Sequence, residues 1–201
     1  MRLKPPPSLP FTLPSGRESL SQDHPLNANL RDNGIGLVPR IVSIDEAAGC
    51  ATLACGSILA RLAIPLGWHI FDDGRRVLVF DAASTIQINF QLCDTKGHAA
   101  ELLIQHIIMQ VQQAQPEAEW VTMDLAGMPS VAFRGLKMDD EYCDQVHMLL
   151  QTPGKKGLFL EIRVVARPDD IVKTMDMVEA IFHTIEFLVP PAAAAAPEQA
   201  A

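Results

Sequence analysis

The sequence predicts an α+β protein in which an antiparallel sheet has helices covering one face. Two observations lead to that class. Residues 84–92 (STIQINFQL) alternate with period two: Ile86, Ile88, Phe90 and Leu92 fall on one side, and Thr85, Gln87, Asn89 and Gln91 on the other. That is the pattern of a strand buried on one side. Two segments instead carry apolar residues at intervals of three and four, the spacing of a helix stripe. One-sided strands and striped helices together build a sheet covered on its apolar face, leaving the second face polar and open to water.

Each element follows in order. Residues 37–44 and 50–64 are strand-like but irregular, and Pro65 and Gly67 punctuate the chain before WHIF, residues 68–71. Asp73-Gly74 marks a tight hairpin turn leading into RRVLVF, residues 75–80. After the strand at 84–92, a helix is expected over 98–115, with Leu103, Ile104, Ile107, Ile108 and Val111 as its stripe and Pro116 closing it. Strands at about 118–125, 128–136, 142–151 and 157–166 follow, with Gly127 and Pro153-Gly154 at turns. A last helix opens at Pro168, with Asp169 and Asp170 at the positive end of its dipole. Its stripe is Ile171, Met175, Val178 and Phe182, and IEFLV, residues 185–189, ends the fold as a short strand. Residues 1–35, rich in Pro, Ser, Asn and Asp, read as a disordered arm, residues 36–189 as the domain, and residues 190–201 as a Pro/Ala-rich tail.

Composition narrows the function. The net charge is −8; the first 35 residues carry +1, which leaves −9 on the rest. An acidic body excludes a nucleic-acid partner, whose phosphates need Lys and Arg, and also docking on an anionic membrane surface. It suits a basic or neutral protein partner. No apolar run approaches the roughly 20 residues of a membrane span. Five prolines among the first 14 residues break any signal-peptide core, so the expected location is cytoplasmic. Cys50, Cys55, Cys93 and Cys143 lack CxxC spacing and are expected to remain thiols there.

The order of elements resembles a known fold group. A strand into Pro65-x-Gly67-Trp68, hairpins, an amphipathic helix, a Gly127-x-Pro129 strand, a meander and a closing VEAIFHTIEF segment are similar to the PsbP-like fold group. That group includes Mog-type, DcrB-like and secretion-effector-associated (Eag-type) proteins. The resemblance covers about residues 58–188. It implies a mostly non-catalytic protein, and without a lipobox cysteine it points to the cytoplasmic adaptors and chaperones of type VI secretion effectors. In the Eag-type chaperones an open sheet face cradles a hydrophobic helix of the client. The face predicted here is richer in Gln, Asn and charge.

Catalytic and metal-binding patterns are missing. The six histidines show no HxH or HExxH spacing; His98 and His106, eight apart on one predicted helix, point about 80° apart. Each histidine reads as a satisfied surface residue. There is no G-x-S-x-G, Walker or Rossmann glycine pattern. No cofactor and no metal are expected, and Trp68 is read as a core anchor. Two surfaces remain as candidates for binding a protein. The first is the polar sheet face: Gln87, Asn89, Gln91, Gln145, His147, Glu161 and Arg163, which converge only if their three strands are neighbours. The second is an acidic hairpin, Asp139, Asp140, Glu141 and Asp144, a solvated turn or a docking patch for a basic partner. The expected function is a non-enzymatic adaptor or chaperone-like protein acting through the sheet face. The alternatives are a structural subunit of an assembly and, third, a small-molecule enzyme.

Overall fold

The computed structural model describes residues 36–37, 39–55, 58–72, 76–83, 85–138, 141–154, 156–168 and 170–188. The arm expected over 1–35, the turn expected at Asp73-Gly74 and the tail expected over 190–201 lie outside the described residues. The chain order is β1 (Gly36–Leu37), β2 (Arg40–Asp45), β3 (Cys50–Cys55), β4 (Ile58–Ala63), β5 (His69–Asp72), β6 (Val77–Phe80), β7 (Ile86–Asp94), α1 (Ala100–Ala114), β8 (Glu119–Leu125), β9 (Met128–Met138), β10 (Glu141–Gln151), β11 (Leu158–Ala166), α2 (Asp170–Phe182) and β12 (Glu186–Leu188). The α+β class and the antiparallel pairing are as the sequence predicts. The irregular stretch at 50–64 is two strands, β3 and β4, paired as a hairpin.

The strands form two antiparallel sheets. The large one runs β5-β6-β7-β11-β10-β9-β8, and the small one β12-β4-β3-β2. Strand β7 pairs with β11 from Ile86 to Asp94. Its other edge is shared between β6, at Gln87 to Asn89, and β1, at Leu92 and Cys93. The small sheet is a separate layer that the sequence does not announce. Its alternating residues Ala51, Leu53, Ala60 and Leu62 are buried against Ile86, Ile88, Leu160, Ile162 and Val164 of the large sheet. Val178, Ile181 and Phe182 of α2 join the same core, as does Trp68, the anchor expected of it. Burial of each such aliphatic or aromatic side chain contributes roughly 1.5–3 kcal/mol.

Helix α1 lies on the opposite face of the large sheet from α2. Leu103, Ile104, Ile107 and Ile108 pack with Val131, Phe133, Leu136, Cys143, Leu149, Phe159 and Val165. Those strand residues sit one position out of phase with the residues facing the small sheet. The second face is therefore not left open, because each helix stripe needs its own apolar surface to cover. Helix α1 stops at Ala114 since Pro116 biases the residue before it away from helical angles; Gln115 adopts φ −141° and ψ 82°. It starts at Ala100, so His98 lies in the preceding loop and not on the helix with His106. Pro168 and Arg167 precede the first turn of α2, and Arg167 O accepts the Asp170 N–H at 3.1 Å.

One glycine fixes how the β7–α1 loop meets the β10–β11 hairpin. Gly157 has φ +78°, and a Cβ there would stand 2.4 Å from Gly97 N and 2.7 Å from Thr95 Oγ1. Its carbonyl accepts the Thr95 N–H at 2.7 Å. Gly157→Ala must strain the backbone and separate the two loops. It is expected to lower unfolding free energy by about 2 kcal/mol or more, measured by urea denaturation; a change under about 0.5 kcal/mol would refute the tight approach.

Candidate functional site

The predicted polar face assembles, and it is buried. Strands β7, β11 and β10 are consecutive, so in register Asn89, Arg163 and His147 form one row across the sheet. Gln87, Val165 and Gln145 form the row on one side of it, and Gln91, Glu161 and Leu149 the row on the other. The convergence expected from three separate strands is present. The openness is not. Gln87, Asn89, Gln145, His147 and Glu161 are buried, Gln87 to 2% exposure, and Gln91 and Arg163 are half-buried. Apolar clusters lie on both flanks: Leu78, Phe80 and Phe71 beside β7, and the α1 cluster across β9 and β10.

Most of these groups are partnered within the protein. His147 Nδ1 meets Glu161 Oε1 at 2.7 Å, and His147 Nε2 meets Gln145 Oε1 at 3.3 Å. The Phe133 ring stands edge-on to the His147 imidazole, with centroids 5.5 Å apart. Cys93 Sγ donates to Glu161 Oε2 at 3.4 Å, and Gln87 Nε2 donates to Asn89 Oδ1 at 3.0 Å. Gln87 Oε1 and Asn89 Nδ2 have no hydrogen-bond partner among the described residues. His147 is thus an interior residue, against the surface reading of every histidine. It escapes the usual cost of burying a polar ring because a carboxylate and an amide occupy its two nitrogens.

Burial acts to raise the Glu161 carboxyl, but the hydrogen bond from His147, the charges of His147 and Arg163, and the Cys93 thiol outweigh it and hold the carboxyl below its ordinary value. Burial, then the Glu161 charge and hydrogen bond, push the Cys93 thiol well up. Burial likewise pushes Cys143 to about 11; Asp144 adds to the rise, and Gln145 and Arg163 oppose it. A thiol held neutral is a poor nucleophile. The Cys93–Glu161–His147 group therefore has the residue types of a catalytic constellation with its sulfur in the unreactive form. Cys50, Cys93 and Cys143 are free thiols. Among the described residues no group of three His, Cys, Asp or Glu side chains could hold a metal ion, and no helix is long and apolar enough to cross a membrane.

The acidic hairpin is divided by the structure. Asp139 and Asp140 lie outside the described residues, and Glu141 is exposed. Asp144 is buried, against the expectation of a solvated carboxylate. Its Oδ1 accepts the Gly135 N–H at 3.0 Å, where Arg134 and Gly135 together oppose Asp144 in a β-bulge. Gly135 has φ +68°, the left-handed angle such a bulge requires.

The edge strand β8 is a feature that the sequence pattern does not single out. Among the described residues it pairs with β9 alone and ends the large sheet. Glu119, Trp120, Val121, Thr122 and Asp124 are exposed, Trp120 by 42% and Val121 by 54%. The segment reads as a strand in the sequence, but its lack of Lys, Pro or Gly gains meaning only once its position at the edge is known.

No protein-family model matches the chain, and no curated protein sequence matches it. Among solved structures the chain is similar to the solution structure of cyanobacterial PsbP (CyanoP) from Synechocystis sp. PCC 6803. The identity is 12%, 76% of this chain and 94% of that chain are covered, and the TM-score is 0.43. A likeness of that degree carries no functional weight.

Two outcomes follow from the buried network. Glu161→Gln should cost about 1–3 kcal/mol at pH 7. The folded carboxyl lies below its unfolded value, so its contribution is complete above the ordinary carboxylate range and is lost as pH falls through the folded value. The gap between the proteins should therefore close in acid; a gap that widens would contradict the lowered carboxyl. Separately, alkylation of the native protein followed by peptide mapping should modify Cys50 and spare Cys93 and Cys143 until the chain is unfolded. Rapid native labelling of Cys93 would show it to be a thiolate.

Proposed function

We propose that this chain is a non-enzymatic protein-interaction module whose docking element is the free edge of the large sheet. The observation that carries this reading is the exposure of β8 along most of its seven residues, with a tryptophan and a valine in solvent. An edge strand presents unpaired N–H and C=O groups, and natural edges are ordinarily blunted by Lys, Pro, bulges or cover. Strand β8, EWVTMDL, carries charge at Glu119 and Asp124 but no Lys, no Pro and no break in its register with β9. Addition of a strand gives affinity through main-chain hydrogen bonds, while Trp120 and Val121, on opposite faces, supply side-chain contacts.

The adaptor or chaperone-like class, the cytoplasmic location and a type VI secretion effector as client form the finer part of the proposal, supported by the resemblance in element order. The docking surface differs from the sheet face first expected, because that face is engaged internally. Acidic Glu119 and Asp124, on a chain of charge −8, favour a neutral or basic partner.

Val121→Lys places a charge on the exposed edge without disturbing the core. Captures from native lysate with the wild type and this variant should differ in bound protein while melting temperature stays within about 1–2 °C, since exposed substitutions change stability by less than about 0.5 kcal/mol. An identical set of captured proteins would remove β8 as the docking element.

A further inference from the structure

The β8 edge is self-complementary, and we infer that its occupant is a second copy of this chain, paired antiparallel about a two-fold axis at Thr122. The inference rests on the reading of β8 as an interaction edge and names what fills it. Three observations carry it.

The first is contrast with the other edges. Strand β5, at the far side of the same sheet, is tied down by Asp72: its Oδ2 accepts the Arg40 Nε–H and the Ile41 N–H, both at 3.0 Å, from β2. The pairing of β2 with β3 is broken by a register shift between Ile41 and Ser43, and β12 is three residues long. Even β9, where it runs past the start of β8, is capped. Gln115 Oε1 accepts the Lys137 N–H at 2.6 Å, and Gln115 Nε2 donates to Lys137 O at 3.0 Å, an amide imitating a neighbouring strand. Along β8, by contrast, the pairing with β9 is unbroken over seven residues, and its charged side chains are Glu119 near one end and Asp124 near the other.

The second is the pattern of side chains across the axis. With Thr122 opposite Thr122, Val121 meets the partner's Met123, Trp120 meets the partner's Asp124, and Glu119 meets the partner's Leu125. No like charges face each other, which cross-strand pairing penalises. The exposed valine finds an apolar neighbour. The indole N–H of Trp120, a donor only, stands opposite a carboxylate, an acceptor only. This register also pairs the whole strand from Glu119 to Leu125. Centred on Val121, the pairing would stop at Met123 and set Trp120 against Thr122. Centred on Met123, it would set Trp120 against the partner's Ala126, which lies in the β8–β9 turn with φ +53° and cannot continue a ladder.

The third is symmetry. Residues that share a face stay on that face when the axis is perpendicular to the sheet, so both α1 helices lie on one side of a continuous sheet. Such an isologous contact closes at two copies and leaves no further edge of this kind.

The experiment is charge exchange at the axis, read by light scattering coupled to size exclusion over a concentration series. Thr122 is exposed, so its replacement spares the fold. The wild type is expected at twice the mass of the chain. Thr122→Lys and Thr122→Glu, each placing like charges across the axis, should each run at single mass, and their equimolar mixture should return to double mass. As a second measurement, Thr122→Cys in a Cys50→Ser, Cys55→Ser background should oxidise to a linked dimer, since directly opposed residues have Cα atoms about 4.5–5.5 Å apart, within disulfide reach. A wild type that is monomeric at all concentrations overturns the inference, as does a dimer that survives Thr122→Lys. A monomer that still loses captured protein on Val121→Lys leaves β8 as a docking edge for another polypeptide; failure of both removes the edge from function.

Discussion

Strand β11 is hydrogen-bonded along its length to β7 on one side and β10 on the other, and this central triplet holds the rest of the molecule in place. Both its faces are covered, by α1 on one and by α2 with the small sheet on the other. Period two makes the register unforgiving. A one-residue slip of β11 would turn Glu161 and Arg163 into the core that holds Ile162 and Val164, and send those apolar residues into the polar patch. The cost of burying a carboxylate and a guanidinium among Leu, Ile and Phe side chains rules that alternative out.

The buried polar network is a consequence of the same constraint. Three adjacent strands each place polar residues on the α1 side at the same level, and those residues have one another as neighbours. Glu161 is the hub, holding His147 with one oxygen and the Cys93 thiol with the other. The bonds to Glu161 leave the imidazole oriented and the sulfur protonated, an arrangement suited to specifying which strands lie side by side. Internal satisfaction of the patch also removes it as a docking surface, which shifts attention to the rim of the sheet.

At the rim, the difference between protected and unprotected backbone is set by single side chains. Asp72 secures β5 against β2, and Gln115 closes the end of β9 with two hydrogen bonds. Strand β8 begins four residues after Gln115 and runs to Leu125 with no strand on its outer edge among the described residues. Its exposed Trp120 and Val121 are apolar groups in water where a solitary chain would ordinarily carry Lys. A partner strand satisfies both deficits together.

The sequence by itself determined most elements of the large sheet and both helices: the alternation in residues 86–92, the stripe from Leu103 to Ile108 and the turn residues located them to within a few residues. The β3–β4 hairpin within 50–64, by contrast, shows in the sequence only as an irregular stretch. The sequence also selected the polar set Gln87, Asn89, Gln91, Gln145, His147, Glu161 and Arg163, because side-chain alternation is a local property of a strand. What it could not determine was depth. A Gln on the polar side of a strand has the same local pattern whether water or protein lies above it, and only the tertiary packing left Gln87, Asn89, Gln145, His147 and Glu161 interior. The fate of Asp144 was likewise hidden, since a carboxylate near a hairpin reads as solvated until the bulge at Gly135 draws it inward. Strand order decided the rest: β8 is an ordinary strand in the sequence, and becomes an exposed edge because the chain runs on from β9 to β10 and β11, and among the described residues no other strand pairs with it.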